Sequence, residues 1–387
     1  MNNELLLING LIIAEQNITK GKVVLCRNGK IAAIGNRDDF GSRPVQVIDL
    51  QGCYLSPGFI DIHVHGGGGA DLMDGDIKNL QTMARTHALF GTTTLVPTTI
   101  SAPWDKIRRV LALPLDYRQG PEILGFHLEG PWLNPAYRGA HSLHDLAVPD
   151  LKDFAKIEDF ADKIILITLA PELKDADKIV NKLKQYNILP AIGHSAALYP
   201  DVCRAVSMGC RHVTHLYNAM SGVTKVNGLR RGGLVESALL LDELTVEVIA
   251  DGKHIPPELL MLIYKLKGPA KMILVTDAIA PAGIFLGSEE QKAGNYMIKS
   301  GVAWMEDGVI AGSLACGITL IKNMVQLAKT SLPEAVRMFT ATPAKIIGVG
   351  HRKGHLIQGY DADLVAFDQN YHVRLTVCRG EIFYIGL

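Results

Sequence analysis

The stretch Gly58-Phe59-Ile60-Asp61-Ile62-His63-Val64-His65-Gly66 sets two imidazoles two residues apart in a run that reads as an extended strand. Side chains alternate faces along a strand, so His63 and His65 point the same way and can offer two nitrogens to one metal ion. Further residues with ligand or proton-transfer chemistry follow at long intervals: Glu129, His194, His215 and Asp277. Four imidazoles and two carboxylates make a nitrogen and oxygen donor set suited to Zn²⁺ first and Fe²⁺ next, as one ion or two, with Glu129 the carboxylate to bridge a pair. A catalytic ion keeps a position open for water and lowers its pKa to about 7. Asp277 is then the base that takes the water's proton and returns it to the leaving group.

Taken singly, each residue has a plain structural use: a half-buried strand face for His63 and His65, a turn at Glu129-Gly130-Pro131, a helix cap at His194-Ser195, a core histidine at 215, an N-cap at Asp277. Their shared position argues otherwise. From Leu55 to about Gly350, short apolar runs alternate with helical stretches, the pattern of parallel βα units. Eight strands are expected, at 58–65, 92–98, 123–129, 164–170, 188–194, 211–216, 244–250 and 272–277, and eight is the number of a (β/α)₈ TIM barrel. Helices are expected at 76–90, 103–113, 175–186, 200–208, 233–241 and 257–266. A further helix is expected at 314–329, and another is opened by the capping box Ser331-x-x-Glu334. The reactive residues then fall at the C-terminal ends of strands one, three, five, six and eight, which converge on the barrel mouth where such enzymes keep their chemistry.

The remaining segments frame that barrel. Residues 1–53 read as short strands ending at turn dipeptides such as Asn9-Gly10 and Asn28-Gly29, and the chain from Ala362 to Ile385 again reads as strands. The expectation is a small β-sandwich domain built from both termini, 1–53 and 354–387, beside a catalytic barrel of 54–353. Residues 283–311 are glycine-rich with strand-like runs and read as a hairpin inserted near the mouth, in the position of a lid or wall.

Composition narrows the class. The 387 residues are 48% hydrophobic and 20% charged, as in a compact globular protein. Lys plus Arg and Asp plus Glu number 39 each, so no long-range field favours nucleic acid or an anionic membrane. Six cysteines without a C-x-x-C pair fit reduced thiols, and neither a basic leader nor an apolar run of about 20 residues is present, so the expected compartment is the cytoplasm.

Ser56-Pro57-Gly58-Phe59-Ile60-Asp61-x-His63-x-His65-Gly66 resembles the first strand of the amidohydrolase superfamily. His127-Leu128-Glu129-Gly130-Pro131, Gly139-Ala140-His141, Ile192-Gly193-His194-Ser195, Thr214-His215-Leu216-Tyr217-Asn218-Ala219-Met220, Ala250-Asp251-Gly252-x-His254 and Val275-Thr276-Asp277-Ala278 follow in order. Together they resemble the branch that deacetylates N-acetylated amino sugar 6-phosphates, over essentially the whole chain. The resemblance implies further roles. His141 would hold the oxyanion that develops on the acetyl carbonyl. Asp251 and His254 would contact the sugar, while Ala140, Asn218, Ala219, Ile310, Ala311 and Gly312 would line its pocket. Arg230 would clamp the phosphate of the neighbouring subunit's substrate, which implies a homodimer.

The implied reaction is hydrolysis of the N-acetyl amide of N-acetylglucosamine 6-phosphate to acetate and the amino sugar phosphate. Alternatives are the galacto epimer, from which no residue distinguishes it, and another amidohydrolase reaction such as N-acyl amino acid hydrolysis or deamination. A fourth strand without a lysine to carboxylate counts against the cyclic-amide hydrolases. A non-catalytic scaffold is disfavoured by the full ligand set.

Overall fold

In the computed structural model, residues 4–41, 46–284 and 290–387 are described. Eight parallel strands form the ring of the central sheet: β1 (Phe59–Val64), β2 (Thr92–Thr99), β3 (Phe126–Glu129), β4 (Ile164–Leu169), β5 (Leu189–Ile192), β6 (His212–Val213), β7 (Thr245–Val248) and β8 (Met272–Leu274), and the two-residue strand Glu122–Ile123, just before β3, also pairs with β2. They pair in sequence order from β1 to β8. The ring closes beyond the regular strands, where Val64 bridges Ala278 in parallel and the Asp277 N–H donates to the His63 carbonyl at 2.9 Å. Asp61 reinforces this seam by accepting from the Thr276 hydroxyl at 2.5 Å. The result is a nearly closed TIM barrel.

The expected helices are present, among them Ile77–Leu89, Ala176–Gln185 and Pro257–Lys267. Ala176–Gln185 illustrates why: Ile179, Val180 and Leu183 fall on one face and are buried, while lysines take the other. The strands end earlier than the apolar runs suggest. His194, His215 and Asp277 lie two or three residues past β5, β6 and β8, with φ of 48°, 24° and 47°. Positive φ is costly for side chains of this kind. Here it swings each residue off the strand, and the three side chains meet at the mouth.

Two further sheets lie outside the barrel, the first from both termini and the second from the N-terminal residues alone. One has six strands in the order Glu381–Ile385, Val373–Cys378, Leu364–Phe367, Tyr54–Pro57, Leu11–Ile13, Ile18–Thr19. The other orders Lys30–Asn36, Lys22–Arg27, Glu4–Ile8 and Gln46–Asp49. An apolar cluster joins them, with Leu5, Leu7, Val24 and Ile31 against Leu55, Leu364, Leu375 and Val377. Tyr54–Pro57, which sequence reading puts with the barrel, pairs with Leu364–Phe367 and leads directly into β1.

The insertion after β8 is a three-stranded antiparallel sheet, Gln291–Ala293, Tyr296–Lys299 and Val302–Trp304, one strand more than a hairpin. Residues 285–289 of the expected lid lie outside the described residues. Among the described residues no helix is long and apolar enough to cross a membrane. All six cysteines are unpaired, and five are buried.

Candidate metal centre

His63, His65, Glu129, His194, His215 and Asp277 converge at the mouth, all nearly or fully buried. Two overlapping groups could each hold an ion: His63, His65 and Glu129, and Glu129, His194 and His215. Glu129 Oε1 lies 3.0 Å from His194 Nε2 and 2.8 Å from His215 Nε2. Its Oε2 lies 3.4 Å from His65 Nε2. Asp277 Oδ1 stands 3.1 Å from His65 Nε2 and 3.5 Å from His63 Nε2. A tetrahedral ion with bonds of about 2.0–2.1 Å sets neighbouring donors roughly 3.3 Å apart, so these separations suit ligands of a shared cation.

Hydrogen bonds behind the rings decide which nitrogen faces inward. His65 Nδ1 donates to the Thr98 carbonyl (3.0 Å), His194 Nδ1 to the Tyr137 carbonyl (2.9 Å) and His63 Nδ1 to Glu247 Oε2 (2.9 Å). With Nδ1 carrying the proton, each Nε2 is left to face the cluster. There nitrogen meets nitrogen, at 3.2 Å for His63 and His65 and 3.0 Å for His194 and His215. The His63 and His65 lone pairs at that distance repel unless a cation lies between them, and His215, whose Nδ1 has no partner, is free to turn a lone pair toward His194 in the same way. The donor set therefore fits a divalent metal.

His141 is wired the other way. Its Nδ1 accepts from the Ser101 N–H at 3.1 Å, so Nε2 carries the proton and donates to Glu129 Oε2 at 3.2 Å. A ring that presents N–H beside ligand rings that present lone pairs is equipped as a hydrogen-bond donor, not as a ligand.

Charge effects follow the same layout. Burial pushes the Glu129 carboxyl up, but His63, His194 and the His141 hydrogen bond outweigh it and hold Glu129 well below the carboxylate range. Burial lowers His194 to about 4, keeping it neutral. Burial also opposes charge on His65, yet Asp277 and Glu129 draw it up to about 9. The field that pulls a proton onto His65 is the field that favours a divalent cation, which binds with proton release.

The residues expected to bind substrate fall on several segments. Asp251 Oδ2 accepts from His254 Nδ1 at 2.7 Å, which leaves His254 Nε2 free to accept. Asn218 folds back on the His215 carbonyl at 3.1 Å, with Ala219 next to it in the left-handed region. Ala140 directly precedes His141 and is half-buried. Ile310 bridges Trp304, Ala311 donates to the Ala303 carbonyl, and Gly312 passes under Asp277. A Cβ on Gly312 would come within 2.9 Å of the Asp277 carbonyl, and its φ of 135° also calls for glycine. Arg230 stands apart, exposed on the hairpin of Thr224–Val226 and Leu229–Arg231, beside Tyr199 and Glu236 at a surface cavity of about 640 Å³.

Four polar residues at the site escaped the sequence reading. Glu247 and His212 lie behind His63, Ser101 sets the His141 tautomer, and Glu172 accepts from Asn134 Nδ2, Ser195 Oγ and the Ala196 N–H. The one available signal was a charged residue inside an apolar strand, Val246-Glu247-Val248.

The family model described as "Amidohydrolase family" matches residues 54–383. The chain belongs to the amidohydrolase family. Among curated proteins, this amidohydrolase is 32% identical to an N-acetylglucosamine-6-phosphate deacetylase of Bacillus subtilis, across 100% of this chain and 98% of that one. It is 34% identical to the enzyme of the same name from Vibrio furnissii, across 94% and 90%. Its fold matches the crystal structure of N-acetylglucosamine-6-phosphate deacetylase from Pasteurella multocida with a TM-score of 0.90 at 31% identity, covering 98% and 99% of the two chains.

Proposed function

We propose that this amidohydrolase hydrolyses the N-acetyl amide of N-acetylglucosamine 6-phosphate, releasing acetate and glucosamine 6-phosphate. The observation that carries the reading is the opposed wiring of the imidazoles. His63, His65 and His194 turn lone pairs toward one point while His141 turns an N–H toward the same place. Amide hydrolysis needs that combination, a cation site and an oxyanion donor side by side. The substrate class follows from the full-length relatives.

Glu129, His194 and His215 would hold one ion, and His63, His65, Glu129 and Asp277 a second, with Zn²⁺ the first candidate and Fe²⁺ the next. When bound, a divalent ion supplies Lewis acidity, which makes hydroxide available at neutral pH and polarises the acetyl carbonyl. Asp277 takes the proton of the attacking water and passes it to the departing nitrogen. His141 Nε2–H donates to the oxyanion as it develops. Asp251 fixes His254 to accept from a sugar hydroxyl, and Ala140, Asn218, Ala219 and Ile310–Gly312 shape the pocket. Arg230, too exposed to serve its own site, would reach the phosphate in the partner of a homodimer.

The two terminal sheets read as a β-sandwich domain, 1–53 with 354–387, supported by their shared apolar cluster, beside a catalytic barrel of 54–353. Unpaired cysteines support the cytoplasm as the compartment. The test is amine release from N-acetylglucosamine 6-phosphate, its galacto epimer and both unphosphorylated sugars, with Zn²⁺ or Fe²⁺ supplied. Preference for the phosphorylated gluco substrate is expected. Faster turnover of the galacto epimer, or indifference to the phosphate, would overturn the assignment.

A further inference from the structure

We propose that Glu247, with His212 behind it, is the positioning residue that makes His63 a metal ligand and so determines whether a second ion is retained. This rests on reading the mouth cluster as a metal centre. The Glu247 carboxylate is fully buried, and among the described residues its side-chain partners are His63 Nδ1 at 2.9 Å, His212 Nε2 at 3.0 Å and the His215 N–H at 3.1 Å. No lysine or arginine among the described residues neutralises it. A buried carboxylate without such a partner is costly, so its place in the fold points to a positive charge across the His63 ring.

The four ligand rings are not supported alike. His65 and His194 donate Nδ1–H to backbone carbonyls, and His215 Nδ1 has no partner. Only His63 is backed by a carboxylate. A carboxylate behind an imidazole fixes the ring orientation and raises the basicity of the ligating nitrogen, and losing such support typically weakens metal binding by about 10–100-fold. The effect should therefore fall on the side of the cluster that holds His63. The other side depends on Glu247 less, because its link runs through the His215 backbone, which the Leu216 N–H to Glu247 carbonyl bond (2.9 Å) also holds.

The experiment titrates metal-free wild type, Glu247→Gln and His63→Ala with buffered Zn²⁺, counting ions per chain and recording the melting of the metal-free forms. Glu247→Gln keeps the size of the side chain and an acceptor for His63, but not the charge. Expected are two ions for wild type and a second binding step weakened about 10–100-fold in Glu247→Gln, with the first step and the metal-free fold unchanged. His63→Ala should lose the same step. Should Glu247→Gln fail to fold, His212→Gln carries the test with the same selective loss. Two ions bound with wild-type affinity in the variant, equal weakening of both steps, or a single wild-type ion indifferent to His63→Ala would each overturn the proposal. Wild type that binds no ion would instead overturn the metal-centre reading beneath it.

Discussion

Three carboxylates, Glu122, Asp361 and Asp363, gather near the N-terminal side of β3, as closely as the ligand groups gather at the mouth. The two clusters nevertheless differ in what fills them. Lys353 Nζ sits among the three acids, 2.7 Å from Glu122 and 3.2 Å from Asp361, and in contact with Asp363. Arg352 grips Glu122 with both terminal nitrogens, at 2.9 and 3.0 Å, and Lys30 pairs with Asp361. Three cations of the chain answer three acids. At the mouth, by contrast, the ion-pair partners of Glu129 and Asp277 among the described residues are all imidazoles. Proximity of acids is thus no sign of a metal site; what separates the two is whether the chain supplies its own cation.

Each variant below tests that contrast. Asp277→Asn should lower turnover by about 10³-fold or more while leaving the fold and the ion held by Glu129, His194 and His215 in place, because it removes a proton carrier and keeps the shape. Near-normal turnover would take Asp277 out of the mechanism. Lys353→Met should cost about 3–5 kcal/mol in urea unfolding, since it leaves Asp363 buried against no charge. Glu129→Gln should do the reverse: metal binding is lost, while the metal-free protein keeps its stability or gains some. If both substitutions destabilised the metal-free protein equally, the distinction between the clusters would fail.

Arg230→Ala should raise KM for the phosphorylated sugar about 10-fold or more and leave the unphosphorylated sugar unaffected. An equal loss for both substrates would refute the phosphate clamp.

The smallest effect concerns acid. Burial alone would raise Glu122, but Arg352 and Lys353 hold it below its ordinary value of 4.5. A depressed carboxylate contributes stability above the unfolded value and loses it as pH falls through the folded one. Wild type should therefore lose stability more steeply below about pH 4.5 than Glu122→Gln, as read from urea midpoints between pH 7 and 3. Parallel curves would show that Glu122 is not held by these cations.

Much of this contrast was legible in the sequence on one side only. The mouth cluster shows there because barrel topology gathers residues at strand ends, so His63, Glu129, His194, His215 and Asp277 could be placed by position. The cluster around Lys353 did not show, because Glu122 and Asp361 are 239 positions apart and nothing in their local pattern pairs them. Tautomers were equally hidden. His141 and His194 are both histidines near a mouth, and only the Ser101 N–H behind one and the Tyr137 carbonyl behind the other assign them opposite work. The left-handed backbone at His194, His215 and Asp277 was invisible too, since only a small minority of non-glycine residues adopt it and nothing in the local sequence marks these three.

The most direct measurement is anomalous scattering at the zinc edge from crystals of the protein grown with Zn²⁺. A peak is expected within about 2.0–2.1 Å of Glu129 Oε1, His194 Nε2 and His215 Nε2, with none among Glu122, Asp361 and Asp363. An empty mouth, or a peak in the cluster that Lys353 occupies, would contradict the account.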